Sequence, residues 1–127
     1  MNNGSEKLTV RAKEYVSKYM HELRGISKSF LQTNEGDGKN GARAQLLRLR
    51  KLTDRMDSDN FNARDRKFVL EAKEILLPSY EQAIKYFNQG DWFVARQVIE
   101  DAMVDTLTIE SVTLGWHEPE TSGTRSL

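Results

Sequence analysis

The run Tyr80-Glu81-Gln82-Ala83-Ile84-Lys85-Tyr86-Phe87-Asn88-Gln89-Gly90-Asp91-Trp92-Phe93-Val94-Ala95-Arg96 joins two stretches of helical apolar spacing with almost nothing between them. Gly90 suits the left-handed position just beyond a helix C-terminus, where a Cβ is penalised. Asp91 can then cap the next helix by accepting a bond from one of its free amides. Helices joined so closely must run antiparallel and pack along their length. This turn, Gly90 and Asp91, constrains the architecture more than any other feature of the chain.

The rest of the sequence extends the same pattern to four helices, at about 6–32, 42–56, 61–88 and 92–114. In the first, Ala12, Val16, Tyr19, Leu23, Ile26 and Phe30 repeat at steps of four and three, a heptad stripe. Gly25 lies inside it, and we read it as a point of close approach for a neighbouring helix. In the second, Leu46, Leu49 and Met56 share a face, with Leu47 and Leu52 beside it. Phe61, Phe68, Ala72, Ile75, Ala83 and Tyr86 mark the third, with Leu76 and Phe87 adjoining them. Pro78 interrupts that helix and predicts a kink rather than a break, because the apolar period continues across it. Ala95, Ile99, Ala102, Thr106, Ile109 and Thr113 mark the fourth, flanked by Val98, Met103, Leu107 and Val112. Gly115 is its C-terminal stop. The expected fold is all-α, an antiparallel up-down four-helix bundle forming one domain over 1–116, with a disordered tail at 117–127.

Thr33 to Gly41 holds three glycines among nine residues and reads as a flexible loop after the first helix. It is not a calcium loop. With Gly38 or Gly41 in sixth place, the first position falls on Thr33 or Gly36 and the twelfth on Ala44 or Leu47, without the carboxylates an EF-hand needs.

Composition excludes several chemistries. There is no cysteine, so thiolate metal sites, disulfides and cysteine nucleophiles are ruled out, and a cytoplasmic setting is the default expectation. No stretch approaches the roughly 20 apolar residues that span a bilayer, and the N-terminus lacks the apolar run of a secretory signal. His21 and His117 are preceded at three residues by Lys18 and Leu114, so the Glu-x-x-His of di-iron bundles is absent. No P-loop, nucleophile elbow or Gly-x-Gly-x-x-Gly occurs. Glu100, Asp101, Asp105 and Glu110 read as a solvated acidic face of the fourth helix. We expect no catalytic set, metal or cofactor.

The net charge is zero but unevenly spread. Residues 1–67 carry 15 Lys/Arg and 9 Asp/Glu, or +6, and residues 68–127 carry 4 and 10, or −6. Arg48, Lys51 and Arg55 project from one face of the second helix, with Arg43 a turn earlier, so Arg43, Arg48, Lys51 and Arg55 form a candidate nucleic-acid face. Aspartates 54, 57, 59 and 65 are interspersed and weaken that field. Trp92 and Phe93, at the start of the fourth helix, are candidate anchors for a protein partner.

From Phe68 to Trp116 the chain resembles a small archaeal helical family known as "domain of unknown function 357". The residues that carry the likeness are Ala72, the Tyr80–Phe87 run with Ala83, Tyr86 and Phe87, then Asn88-Gln89-Gly90-Asp91-Trp92, Ala95, Ile99, Ala102 and Leu114-Gly115. The family pattern is an alanine-and-aromatic helix, an acidic-Lys-Gly-Asp-Tyr-like turn, and an alanine-rich return helix ending in Leu-Gly. This chain departs from it at Asp105-Thr106-Leu107-Thr108, and its Leu-Gly pair sits about two residues late. The resemblance implies a bundle and no defined activity. A Gly-Asp turn also occurs in tetratricopeptide hairpins, but one such unit cannot bury its own faces. The reading is therefore a helical interaction module, pairing with another protein or as a homodimer through a heptad seam. A nucleic-acid-associated protein using the second helix is the alternative.

Overall fold

A computed structural model describes residues 8–33, 39–56 and 61–115, with the side chains of 39 and 40 excepted. The tail at 117–127, most of the glycine-rich loop and residues 57–60 lie outside the described residues. Four helices follow in order: α1 Val10–Leu31, α2 Lys39–Asp54, α3 Ala63–Asn88 and α4 Trp92–Leu114. Each packs beside its neighbours in sequence, and α1 packs beside α4, closing a square in which α2 and α4 occupy opposite corners. This is the expected up-down bundle.

Local chemistry sets the ends of the helices. Thr9 caps α1, its hydroxyl accepting from the Ala12 amide at 3.1 Å. Asn62 caps α3 through Asp65 N at 2.8 Å. The sequence reading began α1 at residue 6 and α3 at 61; Leu8, Thr9 and Phe61 are in fact outside the helices. It began α2 at 42, whereas Lys39, Asn40 and Gly41 are already helical. The α3–α4 turn is as expected. Gly90 has φ +85°. Its amide donates to Phe87 O at 3.0 Å and that of Asp91 to Tyr86 O at 2.9 Å, the Schellman pairing. Asp91 Oδ1 accepts from Val94 N at 3.3 Å and starts α4.

The core is a column of narrow stripes. Ala12, Val16, Met20, Leu23, Ile26 and Phe30 from α1 meet Ala42, Leu46 and Leu49 from α2, Val69, Ala72, Leu76, Tyr80 and Ala83 from α3, and Ala95, Ile99 and Ala102 from α4. The buried positions of α4 match the sequence pattern in full. Those of α3 do not: Ile75 is exposed, and the stripe runs Asp65, Val69, Ala72, Leu76, Tyr80, Ala83, Phe87. Steps of four and three average 3.5 residues, less than the 3.6 of a straight helix. The extra four-residue step from Leu76 to Tyr80 corrects that drift. The same step, from Val16 to Met20, puts Met20 rather than Tyr19 in the α1 stripe.

The α3 helix is unbroken at Pro78, as expected, whereas the reading of Gly25 is corrected. The proline is exposed, so water can serve the Glu74 carbonyl that loses its helical partner. Gly25 is no point of close approach: a Cβ there would meet nothing within 4 Å.

The two glycines should therefore respond in opposite ways to substitution. Gly90→Val should cost about 1–2 kcal/mol or more, because a β-branched residue is strained at positive φ. Gly25→Ala should stabilise by about 0.5–1 kcal/mol, since the site is helical, exposed and open. Urea denaturation of the two variants checks both signs.

Candidate interaction surface

Polar ties between helices account for several groups that sequence alone left as surface. Asp65 is buried, and its carboxylate accepts from Thr9 Oγ1 at 2.6 Å and Thr9 N at 3.3 Å. It thereby locks the start of α1 to the start of α3. Glu110 bonds to Ser17 Oγ at 2.6 Å and pairs with Arg24, tying α4 to α1. Its reading as part of a solvated acidic face is corrected on this point. Arg96 donates to Leu31 O at 2.7 Å, closing the C-terminus of α1. Lys73 does the same for Asp54 O of α2 at 2.9 Å. No local spacing marks these pairs, because each joins residues 19 to 93 positions apart.

Burial alone would raise the Glu110 pKa. The Ser17 and Arg24 hydrogen bonds, with the charges of Arg24 and His21, outweigh it and hold the carboxyl below its ordinary 4.5. Burial pushes the Tyr80 phenol well above its ordinary 10, reinforced by the charge of Asp105, and its hydroxyl has no hydrogen-bond partner among the described residues. Tyr80 is therefore neutral across physiological pH and no general base there. Among the described residues no group of three or more His, Asp or Glu could hold a metal ion. No helix among them is long and apolar enough to cross a membrane.

The candidate nucleic-acid residues divide into two places. Arg48, Lys51 and Arg55 are exposed and line a shallow groove with Glu22 and Ile26 of α1. None of the three is in an ion pair among the described residues. Arg43 stands apart, its guanidinium 5.6 Å from the Phe87 ring on the α3 side. The candidate anchors divide as well. Trp92 closes the end of the core, its ring 5.5 Å from Phe30 and 5.8 Å from Phe87, with Arg96 stacked over it. Phe93 points outward, 75 % exposed.

Phe93 is not isolated. Val104 is 59 % and Leu107 51 % exposed, and at 3.6 residues per turn the three fall within about 60° around α4. Gln97, Thr108 and Ser111 share that side, with Glu100 as its one charge and Asp101 at its edge. Val112, also exposed, borders an open cleft of about 730 Å³ beside Phe68 and Glu71 of α3. Among the described residues, four of the seven exposed large hydrophobic side chains thus lie on this one helix. The signal was present in the sequence as apolar residues on both sides of the fourth stripe, but without a fold they read as a wider core face. The seam first considered for a homodimer is spent internally, since Val16 and Ile26 are buried inside the bundle.

Comparison of the chain with protein families, with curated proteins and with solved structures finds no match.

The Glu110 clasp predicts a pH-dependent contribution to stability. A carboxyl with a lowered folded pKa contributes fully above its unfolded value and loses that contribution as pH falls through the folded one. Glu110→Gln should cost about 1 kcal/mol at pH 7. The gap from wild type should close as pH drops below about 4.5, a range set by the ordinary carboxyl value. Melting curves between neutral and acid pH check this.

Proposed function

We propose that the chain is a non-enzymatic helical interaction module, acting in the cytoplasm, whose docking face is the outer side of α4. The observation that carries this is the distribution of apolar residues around α4. Its inner side packs the core, and its outer side presents Phe93, Val104 and Leu107 to solvent. A helix apolar on both sides is the pattern of one covered on both sides. The bundle covers one; a partner covers the other.

The chemistry of that partner follows from charge. Glu100 lies within the apolar face and Asp101 at its edge, both exposed, and Arg96, the single cation of α4, is engaged by Leu31 O and the Trp92 ring. The face therefore suits a helix with an apolar stripe bordered by Lys or Arg.

Val104→Asp combined with Leu107→Asp should leave the melting temperature nearly unchanged, since exposed changes alter stability by about 0.5 kcal/mol or less. Proteins retained from native lysate by the wild type should be lost by this variant. The same proteins retained by both would defeat the reading.

A second reading rests on the exposed ridge of Arg48, Lys51 and Arg55, which forms no ion pair among the described residues. Duplex binding through it would weaken with log salt at a slope of about −0.9 per phosphate, and the triple alanine variant would flatten that slope by about two to three units. We expect no affinity tighter than about 10 μM at physiological salt, because the chain is neutral overall and so few phosphates would be met. Titration of labelled duplex at several salt concentrations decides it.

A further inference from the structure

We propose that the occupant of the α4 face is α2 of a second copy, so that the chain assembles head to tail. This rests on the reading of α4 as a docking face and names its partner.

The outward side of α2 has the chemistry that α4 requires. Arg48, Lys51 and Arg55, all exposed, occupy it together with Ala44 and Leu47, the latter 38 % exposed. Over its full length α2 carries five Lys/Arg and one Asp, a net +4; α4 carries one Arg and four Asp/Glu, a net −3. A basic face interleaved with Ala44 and Leu47 on one helix thus meets, on the other, an apolar face with Glu100 within it and Asp101 at its edge, and complementary potentials favour that pairing.

Signs also disfavour the symmetric alternatives. Pairing α4 with α4 would bring Glu100 and Asp101 of two copies onto one interface with no cation beside them. Pairing α2 with α2 would gather two sets of Arg48, Lys51 and Arg55. Like charges brought together in this way are a cost that specific interfaces avoid. Only the mixed pairing joins opposite signs.

Topology decides what the mixed pairing builds. Because α2 and α4 occupy opposite corners of the square, their outer sides face away from each other. One copy can then hold a neighbour on each side at once. Such a heterologous contact propagates as an open array or a large ring rather than closing in a dimer. The zero net charge of the whole chain lets copies stack without accumulating repulsion.

Two one-sided variants of the full chain test this by light scattering. The wild type should increase in mass with concentration without stopping at a dimer. Raising salt from about 50 to 500 mM should weaken association about tenfold, as screening of a charged rim requires. Val104→Asp/Leu107→Asp blocks α4 and Arg48→Glu/Lys51→Glu blocks α2. Each alone should be monomeric, and an equimolar mixture should stop at a one-to-one dimer. Arg48→Glu/Lys51→Glu with Glu100→Lys/Asp101→Lys exchanges the signs and should assemble again, which also shows that the blocked variants fail by charge rather than by unfolding. A wild type monomeric at high micromolar concentration and low salt overturns the inference. If the α4 variant nevertheless loses a protein that the wild type retains, the docking reading stands and the partner is another chain. A fixed dimer that survives Arg48→Glu/Lys51→Glu overturns it in favour of symmetric α4 pairing. A monomer whose salt-steep duplex binding is lost in that variant assigns α2 to nucleic acid and overturns it too.

Discussion

In a square of four helices each helix touches two neighbours, so it can bury little more than one stripe of residues three and four apart. The helices here meet that limit: the buried positions of α4 are Ala95, Ile99, Ala102, Thr106, Ile109 and Thr113, and Phe93, Val104 and Leu107 on its far side are exposed. The limit decides what the molecule shows to solvent. On α3 the far side is mostly charged, with Lys67, Glu74, Glu81 and Lys85 exposed. On α4 the supply of apolar side chains exceeds what one stripe can absorb. Phe93, Val104 and Leu107 are that excess, and the proposed docking face follows from it.

Stripes of small and branched residues leave helices free to slide along one another, and polar ties remove that freedom. Thr9 illustrates the economy of these ties: one hydroxyl accepts from Ala12 N, capping α1, and donates to Asp65 at the head of α3. Arg96 joins the two helices at the opposite end by closing α1 from α4. Glu110 holds the same pair near its other end through Ser17 and Arg24. Arg24 also has a buried Nη1 with no acceptor, so the clasp fixes register more than it adds stability. Because these groups are occupied with structure, they are withdrawn from any chemistry. What remains outward is an apolar and acidic corner on α4 and a basic corner on α2.

That opposition of corners connects sequence charge to assembly. The +6 and −6 halves of the chain could have cancelled internally, as neighbouring helices often do. Their helices α2 and α4 stand diagonally, with no ion pair between them among the described residues. In the proposed assembly, attraction between α2 and α4 acts between molecules rather than within one.

The sequence by itself determined the number and direction of the helices and the turn that joins the last two. Gly90 is required by positive φ, Asp91 by the open amides of α4, and both effects act within a few residues. It also determined the α4 stripe, whose period is uninterrupted. It misplaced the α3 stripe, because a local period of 3.5 and one of 3.6 differ by less than one residue per heptad, and only packing against α2 and α4 selects Leu76 over Ile75. It joined Arg43 to the α2 ridge and Trp92 to Phe93 as a pair of anchors, since residues close in sequence look equivalent until a neighbouring helix claims one of them. Phe87 draws Arg43 aside, and Phe30 and Phe87 draw Trp92 into the core. The ties of Asp65 and Glu110, and the placing of α2 opposite α4, were decided by tertiary structure alone, for they depend on which helix faces which across a square that no local spacing encodes.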